Sequence, residues 1–312
     1  MEDPSTPAAR AKMVAALRGT NAFLVAVVAD ALESADHEWV QLLTAAFDRF
    51  LQDPVKRDPS CRAKIAIAKA LYRTEVDGDE VYLAGAHHVQ LESVWKAKVD
   101  TAAELRGVCV MGLVFREHPR AMVEAARLLA DPERAARIGA AQAIGASGKP
   151  EIGEPLLRLR VELPEPEADV FGAYLGAMLE LAPRESLALV SRHLNVTDEE
   201  HADAAALALG SSRAEGAFEL LRNATESRVA SRSSVLLLSI ALLRTDEAWS
   251  YLVELVATAD GPHAKGALSA LSTFKHDTGL VERVREVVDA RGDDALAHAY
   301  VEHFEDAPPA QG

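Results

Sequence analysis

At 312 residues the chain has room for one large domain or two ordinary ones. Hydrophobic residues make up 49% of it but aromatics only 5%, and Ala, Leu and Val supply the difference, a composition suited to helices packed closely on helices. The net charge is −15, and residues 157–312 hold 26 acids against 14 bases. Such a surface repels phosphate backbones, so nucleic acid is not an expected partner, whereas a basic protein or peptide is compatible with it.

In chain order, apolar residues recur at helical spacing over residues 7–18, 21–34, 38–52, 60–73, 100–115 and 119–130. From residue 131 the pattern becomes periodic. Asp131–Gly145 reads as a helix and Glu151–Val161 as its partner. The unit recurs as 169–181 with 184–194, 198–210 with 214–222, 229–243 with 247–257, and 263–274 with 280–290. The markers Gly145, Met178, Gly210, Leu242 and Phe274 stand 32 or 33 residues apart. A single helix pair cannot bury its own apolar face, but a stack of them can. The expected fold is all-α: a right-handed α-α superhelix, a HEAT-like solenoid of about seven helix pairs. It covers residues 1–304 as one solenoid, with irregular repeats over 1–130, regular repeats over 131–290, a capping helix at 293–304 and a disordered tail at 305–312.

Local signals agree with this. Thr197-Asp198-Glu199-Glu200 reads as a capping box, and acids in a first helical turn favour the macrodipole without needing a metal. The two cysteines, Cys61 and Cys109, lie in Ala/Val-rich stretches and read as buried thiols. Met1–Arg10 lacks a basic stretch followed by an apolar one. The apolar run at 22–29 is far short of the ~20 residues that span a bilayer. No membrane association is expected, and the cytoplasm is the expected compartment.

The period breaks once. From Leu71 to Leu113 is 42 residues, so about ten are inserted near 74–99, a stretch with no regular period that holds Tyr82, His87, His88 and Trp95. No convincing alternating strand stands out; Glu80-Val81-Tyr82-Leu83 is the nearest.

The segments 131–157 and 198–221 resemble HEAT repeats of the bacterial type also found in phycobilin lyases. The whole chain further resembles an uncharacterised group of bacterial HEAT-repeat proteins. The matching stretches are Asp58-Pro59-Ser60-Cys61-Arg62-Ala63-Lys64, the Leu83–Trp95 segment and Asp100–Gly107. The resemblance implies the fold and brings no activity with it.

No Gly-x-Gly-x-x-Gly, Walker A, Gly-x-Ser-x-Gly or Cys-x-x-Cys motif occurs. No catalytic residue, metal or cofactor is assigned. His87, His88 and Glu92 would offer metal ligands only if their stretch were helical and a third group joined them. Trp39 and Trp249, in amphipathic helices, are expected to pack in the core, whereas Trp95 is open to burial or binding. Solenoid stability needs only regular repeats, so a departure from period is the place to look for function. The candidate partner-binding residues are Lys64, His87, His88, Gln90, Glu92, Trp95 and Arg106. The expected function is a scaffold that binds a protein or peptide, through the concave face or the 74–99 insertion. The alternative is an enzyme subunit or a bilin-lyase-like small-ligand binder using the His87/Trp95 region.

Overall fold

The structure is a computed structural model that describes residues 6–95, 97–226 and 233–304. It is all-α, with nineteen α-helices, α1 to α19, among the described residues, and a single two-stranded hairpin. The helices group into two compact units, Met1–Val170 and Phe171–Gly312, each a solenoidal stack of helix pairs. The expected tail at 305–312 and the start of the helix expected from 229 lie outside the described residues.

In the first unit, α1 (Pro7–Arg18), α2 (Ala22–Ala31) and α3 (His37–Leu51) lead through the short α4 (Pro54–Arg57) into α5 (Arg62–Arg73). Then come α6 (Asp79–Ala86), α7 (Ala103–Phe115), α8 (Ala121–Leu128), α9 (Arg134–Gly145) and α10 (Pro150–Glu162). Helices α2, α5, α7 and α9 pack side by side as one layer, and α3, α6, α8 and α10 back them. The inner faces carry small residues because the layers are close. Ala63, Ala66, Ala70, Ala136, Ala140 and Ala143 are buried, around larger side chains such as Phe47, Ile67, Leu71, Tyr82 and Leu113. Helices α7 and α9 approach closely, so that a methyl group on Gly139 would fall 2.5 Å from the Cα of Gly107. Trp39 is buried in this core, as its helix context predicts.

The stretch predicted to be irregular is half regular. Residues 79–86 form α6, the helix that completes the pair begun by α5, with Val81, Tyr82, Gly85 and Ala86 buried. Eight residues with β-prone Val and Tyr among them give too few turns for a helical period to show. The insertion proper is a β-hairpin, contrary to the expectation of no strand. β1 (Leu91–Val94) pairs antiparallel with β2 (Ala97–Asp100), in the register Leu91 with Asp100 and Val94 with Ala97.

In the second unit, α11 (Ala168–Leu181), which begins at the end of the first, is followed by α12 (Pro183–Arg192), α13 (Glu199–Ser212), α14 (Ala217–Glu226) and α15 (Ser233–Leu242). Next come α16 (Asp246–Thr258), α17 (Gly261–Ser272), α18 (Thr278–Arg291) and α19 (Asp294–Phe304). Here α13, α15, α17 and α19 form one layer, with α14, α16 and α18 behind. Side-chain caps set the starts: Asp198, Thr245, Asp260 and Asp277 each accept a backbone N–H of the first turn. At α13 the capping oxygen belongs to Asp198, which accepts from His201 N at 3.2 Å, not to Thr197. Trp249 packs on Phe274 and donates its indole N–H to Ala241 O at 3.1 Å.

Candidate functional site

The hairpin stands on a polar foundation built from three copies of one local pattern, an Asp followed six residues later by Lys or Arg. In the first copy Asp58 accepts the N–H groups of Ala63 and Lys64 at 2.8 and 3.1 Å and the Lys64 ammonium at 2.8 Å. Asp58 and Lys64 are both wholly inaccessible to solvent, and Lys64 Nζ also donates to Phe50 O at 3.3 Å. In the second, Asp100 accepts from Gln90 N and Ala102 N at 2.9 and 3.0 Å and from Arg106 Nη1 at 2.7 Å. In the third, Arg137 donates to the carbonyl oxygens of Asp131 and Pro132, both at 3.0 Å, and to the Glu165 carboxylate at 2.9 and 3.1 Å.

Arg106 ties successive copies together. Its guanidinium is 2% exposed and grips Asp131 with two parallel bonds of 2.8 and 2.9 Å while holding Asp100. It also donates to His88 O at 2.9 Å, which fixes the chain entering the hairpin. Burial alone would raise the Asp100 carboxyl. The N–H groups of Gln90 and Ala102, followed by the Arg106 guanidinium, outweigh it and hold the pKa below the usual carboxylate value.

Gln90 closes the gap that the insertion opens between the first two copies. Its buried amide donates to Asp58 O at 2.8 Å and to Glu92 Oε1 at 2.7 Å, and its Oε1 lies 3.2 Å from His88 Nε2. Desolvation lowers the His88 pKa, an effect that the Gln90 hydrogen bond partly offsets. Glu92 turns back from β1 and accepts from Ser60 N at 2.6 Å and Thr101 Oγ1 at 2.7 Å. Burial pushes its pKa up, and the Thr101, Gln90 and Ser60 donors together bring it below the usual value. Ser60 and Cys61 hold left-handed backbone, with φ of 62° and 55°, where the segment 58–61 bends around this contact.

His87 caps the C-terminal end of α6 and meets Glu124 of α8 at 2.9 Å. Glu124 is buried, and Arg120 (2.6 Å) and Arg127 (3.1 Å) close on it as well. Arg127 Nη2 also donates to Ala86 O. The carboxyl of Glu124 is raised by burial, but Arg127, His87 and Arg120 draw its pKa below the ordinary value.

The seven residues singled out from sequence therefore divide. Lys64, Gln90 and Arg106 are interior, and their assignment to a partner-binding surface is corrected. A buried charge such as Lys64 or Arg106 costs several kcal/mol to leave unpaired, a buried amide such as Gln90 less, and each of these is engaged inside the first unit. Glu92 and His88 are half-buried members of the same network. His87 is partly exposed, and Trp95 alone projects fully. His87, His88 and Glu92 do not share a helix, and among the described residues no group of three His, Cys, Asp or Glu side chains is placed to hold a metal ion.

Trp95 occupies the two-residue turn between β1 and β2, with φ of 54° and its side chain as accessible as in an isolated peptide. Hairpin turns of this length want Gly or Asn at positive φ. Around it Val89, Leu91, Val94 and Val99 are exposed too. Sequence reasoning found Trp95 through the break in period. It missed Asp58, Asp100 and Asp131, whose signal was the repeated Asp-x-x-x-x-x-Lys/Arg spacing, and Glu124, which that spacing does not mark.

Cavities among the described residues of the first unit include one of about 550 Å³ between α3 and the start of α6, one of about 750 Å³ beside α1, and one of about 430 Å³ over α5, α7 and α9. None of the three is lined by His87 or Trp95. No helix among the described residues is long and apolar enough to cross a membrane. Compared with protein-family profiles and with curated proteins, the chain matches none. Fold and site together define a class, an all-α solenoidal protein carrying a rigidly mounted, apolar β-hairpin.

Proposed function

We propose that this is a HEAT-type scaffold whose 91–100 hairpin docks another protein, with Trp95 as the central contact and no chemistry of its own. The observation that carries the reading is the state of Trp95. A large aromatic ring left fully in water forgoes about 2 kcal/mol or more of burial. A non-glycine residue in left-handed backbone costs a further ~1 kcal/mol. Both costs fall on one residue, in a hairpin whose base is fixed by nine hydrogen bonds, eight of them buried or half-buried. A strained, apolar tip on a rigid mount is what a preorganised binding element requires, and Trp is the residue most enriched at energetic centres of interfaces.

The small-ligand alternative would need a deep cavity with converging polar groups beside Trp95, and the cavities described above lie elsewhere. The test is a photo-cross-linking residue in place of Ser93, which faces outward on β1, used in native extract with and without Trp95→Ala. A discrete cross-linked protein that disappears with Trp95→Ala is the expected result. If the same species persists in the variant, or no species forms in either, the hairpin is not the docking element.

A further inference from the structure

The charge around the hairpin is opposite to that of the chain. Residues 54–64, 84–99 and 120–127 contain eight Lys and Arg against three Asp and Glu. Taken from chain totals of 33 and 48, this leaves 25 bases and 45 acids for all the rest. The three segments are one place in the fold. Ser60 N and Asp58 O contact Glu92 and Gln90 at the hairpin base, while Arg127 and Glu124 contact Ala86 and His87 where the chain enters it.

The three acids there are turned inward. Asp58 is buried on Lys64, Glu92 is taken by Ser60, Gln90 and Thr101, and Glu124 is buried under His87, Arg120 and Arg127. The cations face out: Lys56, Arg57, Arg62, Lys98, Arg120 and Arg127 are exposed. An exposed apolar hairpin thus rises from a base whose segments carry unburied positive charge, on an otherwise acidic protein.

We propose, resting on the hairpin reading above, that the docked partner presents a short acidic segment carrying an apolar side chain, the carboxylates facing the Lys and Arg side chains of the base and the apolar group seated on Trp95. Charge complementarity of this kind steers encounter and rejects wrong partners. It reverses the basic partner that the net charge alone suggests, because charges beyond ~10 Å are screened at physiological salt and the local charge decides. It also favours a short segment over a long polyanion. A nucleic acid or an anionic bilayer extends past the base onto the acidic remainder of the chain and is repelled there.

The experiment is fluorescence anisotropy of the full chain with labelled 12-residue probes: Asp/Glu alternating with Leu/Phe, the same peptide with Asn/Gln for the acids, and a Lys version. A single-stranded oligonucleotide and phosphatidylserine vesicles complete the set. The expected result is that the acidic probe binds at least about tenfold more tightly than the Asn/Gln probe and weakens about tenfold between low and 0.3 M salt. It should also weaken at least about fivefold in Lys98→Glu and separately in Arg57→Glu, and be lost in Trp95→Ala.

Equal binding of the acidic and Asn/Gln probes, still lost in Trp95→Ala, overturns the charge inference and leaves the hairpin reading standing. Acidic-probe binding that survives Trp95→Ala overturns both. Failure of every peptide to bind, or tighter binding of the Lys peptide, oligonucleotide or vesicles, overturns the inference as well.

Discussion

Replacing Arg106 by Met tests the polar foundation directly. The guanidinium makes four hydrogen bonds, to Asp100, His88 and both oxygens of Asp131, from a position 2% exposed. Met keeps much of the volume and removes the charge. Asp100 and Asp131 are then left in a site without a base. Asp100 retains the N–H groups of Gln90 and Ala102, and Asp131 that of Glu133 at 2.9 Å. Breaking a buried ion pair from one side costs about 3–5 kcal/mol. For a unit of this size each kcal/mol moves the midpoint by ~2–4 °C, so a fall of about 6–20 °C is expected.

The assay is urea unfolding followed by circular dichroism, repeated from pH 7 down to pH 2.5. Asp100 has its folded pKa depressed below the ordinary value. Its contribution is therefore present above the unfolded pKa of about 3.9 and is lost as pH falls through the lower folded value. Arg106→Met removes part of that depression, so the gap between wild type and variant should narrow below about pH 4. Adding Asp131→Asn to Arg106→Met should cost less than the two single losses summed, because the stranded charge goes with it. A loss under ~1 kcal/mol at neutral pH, or a gap constant down to pH 2.5, would refute the reasoning that Arg106 balances buried carboxylates.

Other expectations follow from local geometry. Gly139→Ala should destabilise by about 1–3 kcal/mol, because its methyl meets the Gly107 backbone at 2.5 Å. Gly176→Ala, with nothing within 4 Å, should be neutral or stabilising by up to ~1 kcal/mol; thermal melts showing equal effects would remove the close-approach explanation. Trp95→Asn should stabilise the isolated protein by about 0.5–1 kcal/mol by relieving the turn at φ 54°, while abolishing cross-linking from position 93. A lower urea midpoint for that variant would mean the ring packs on the protein. Cys61, which burial pushes up to about 12, and Cys109, which burial also raises well above the usual thiol value, should both resist a thiol-disulfide reagent at pH 8 until the chain is unfolded. Rapid native labelling of either would contradict the buried-thiol assignment.

How much of this was legible in sequence depended on what carried each feature. Helices of ten residues or more, such as α1 and α9 to α13, show their apolar period and lie within a few residues of the expected bounds. The eight-residue α6 and the four-residue strands fall below the length at which a period declares itself. The turn Trp95-Lys96 carries none of the Gly or Asn that marks a hairpin. Lys64 and Arg106 were read as surface because charged residues usually are. What places them inside is a partner six residues upstream, a spacing invisible while the repeat was sought in apolar residues alone. Trp95 was legible as an oddity, but its exposure follows from the hairpin, which was not.

The spacing from each Asp to its Lys or Arg is the same whether the preceding helix reaches the Asp by a short turn, as α8 does, or through the hairpin, as α6 does. Asp100 and Arg106 keep the six-residue spacing of Asp131 and Arg137 although only the former pair has a hairpin ahead of it, with Arg106 meeting the Asp100 carboxylate and Arg137 the Asp131 backbone carbonyl. The loop is thus fastened to the repeat that bears it without altering the repeat's spacing, as a fitting is bolted to a rail. An exchange of residues 93–99 for another short hairpin tip should leave the stack intact so long as Gln90, Glu92 and Asp100 remain. A chain of this design can change what it recognises without renegotiating how it folds.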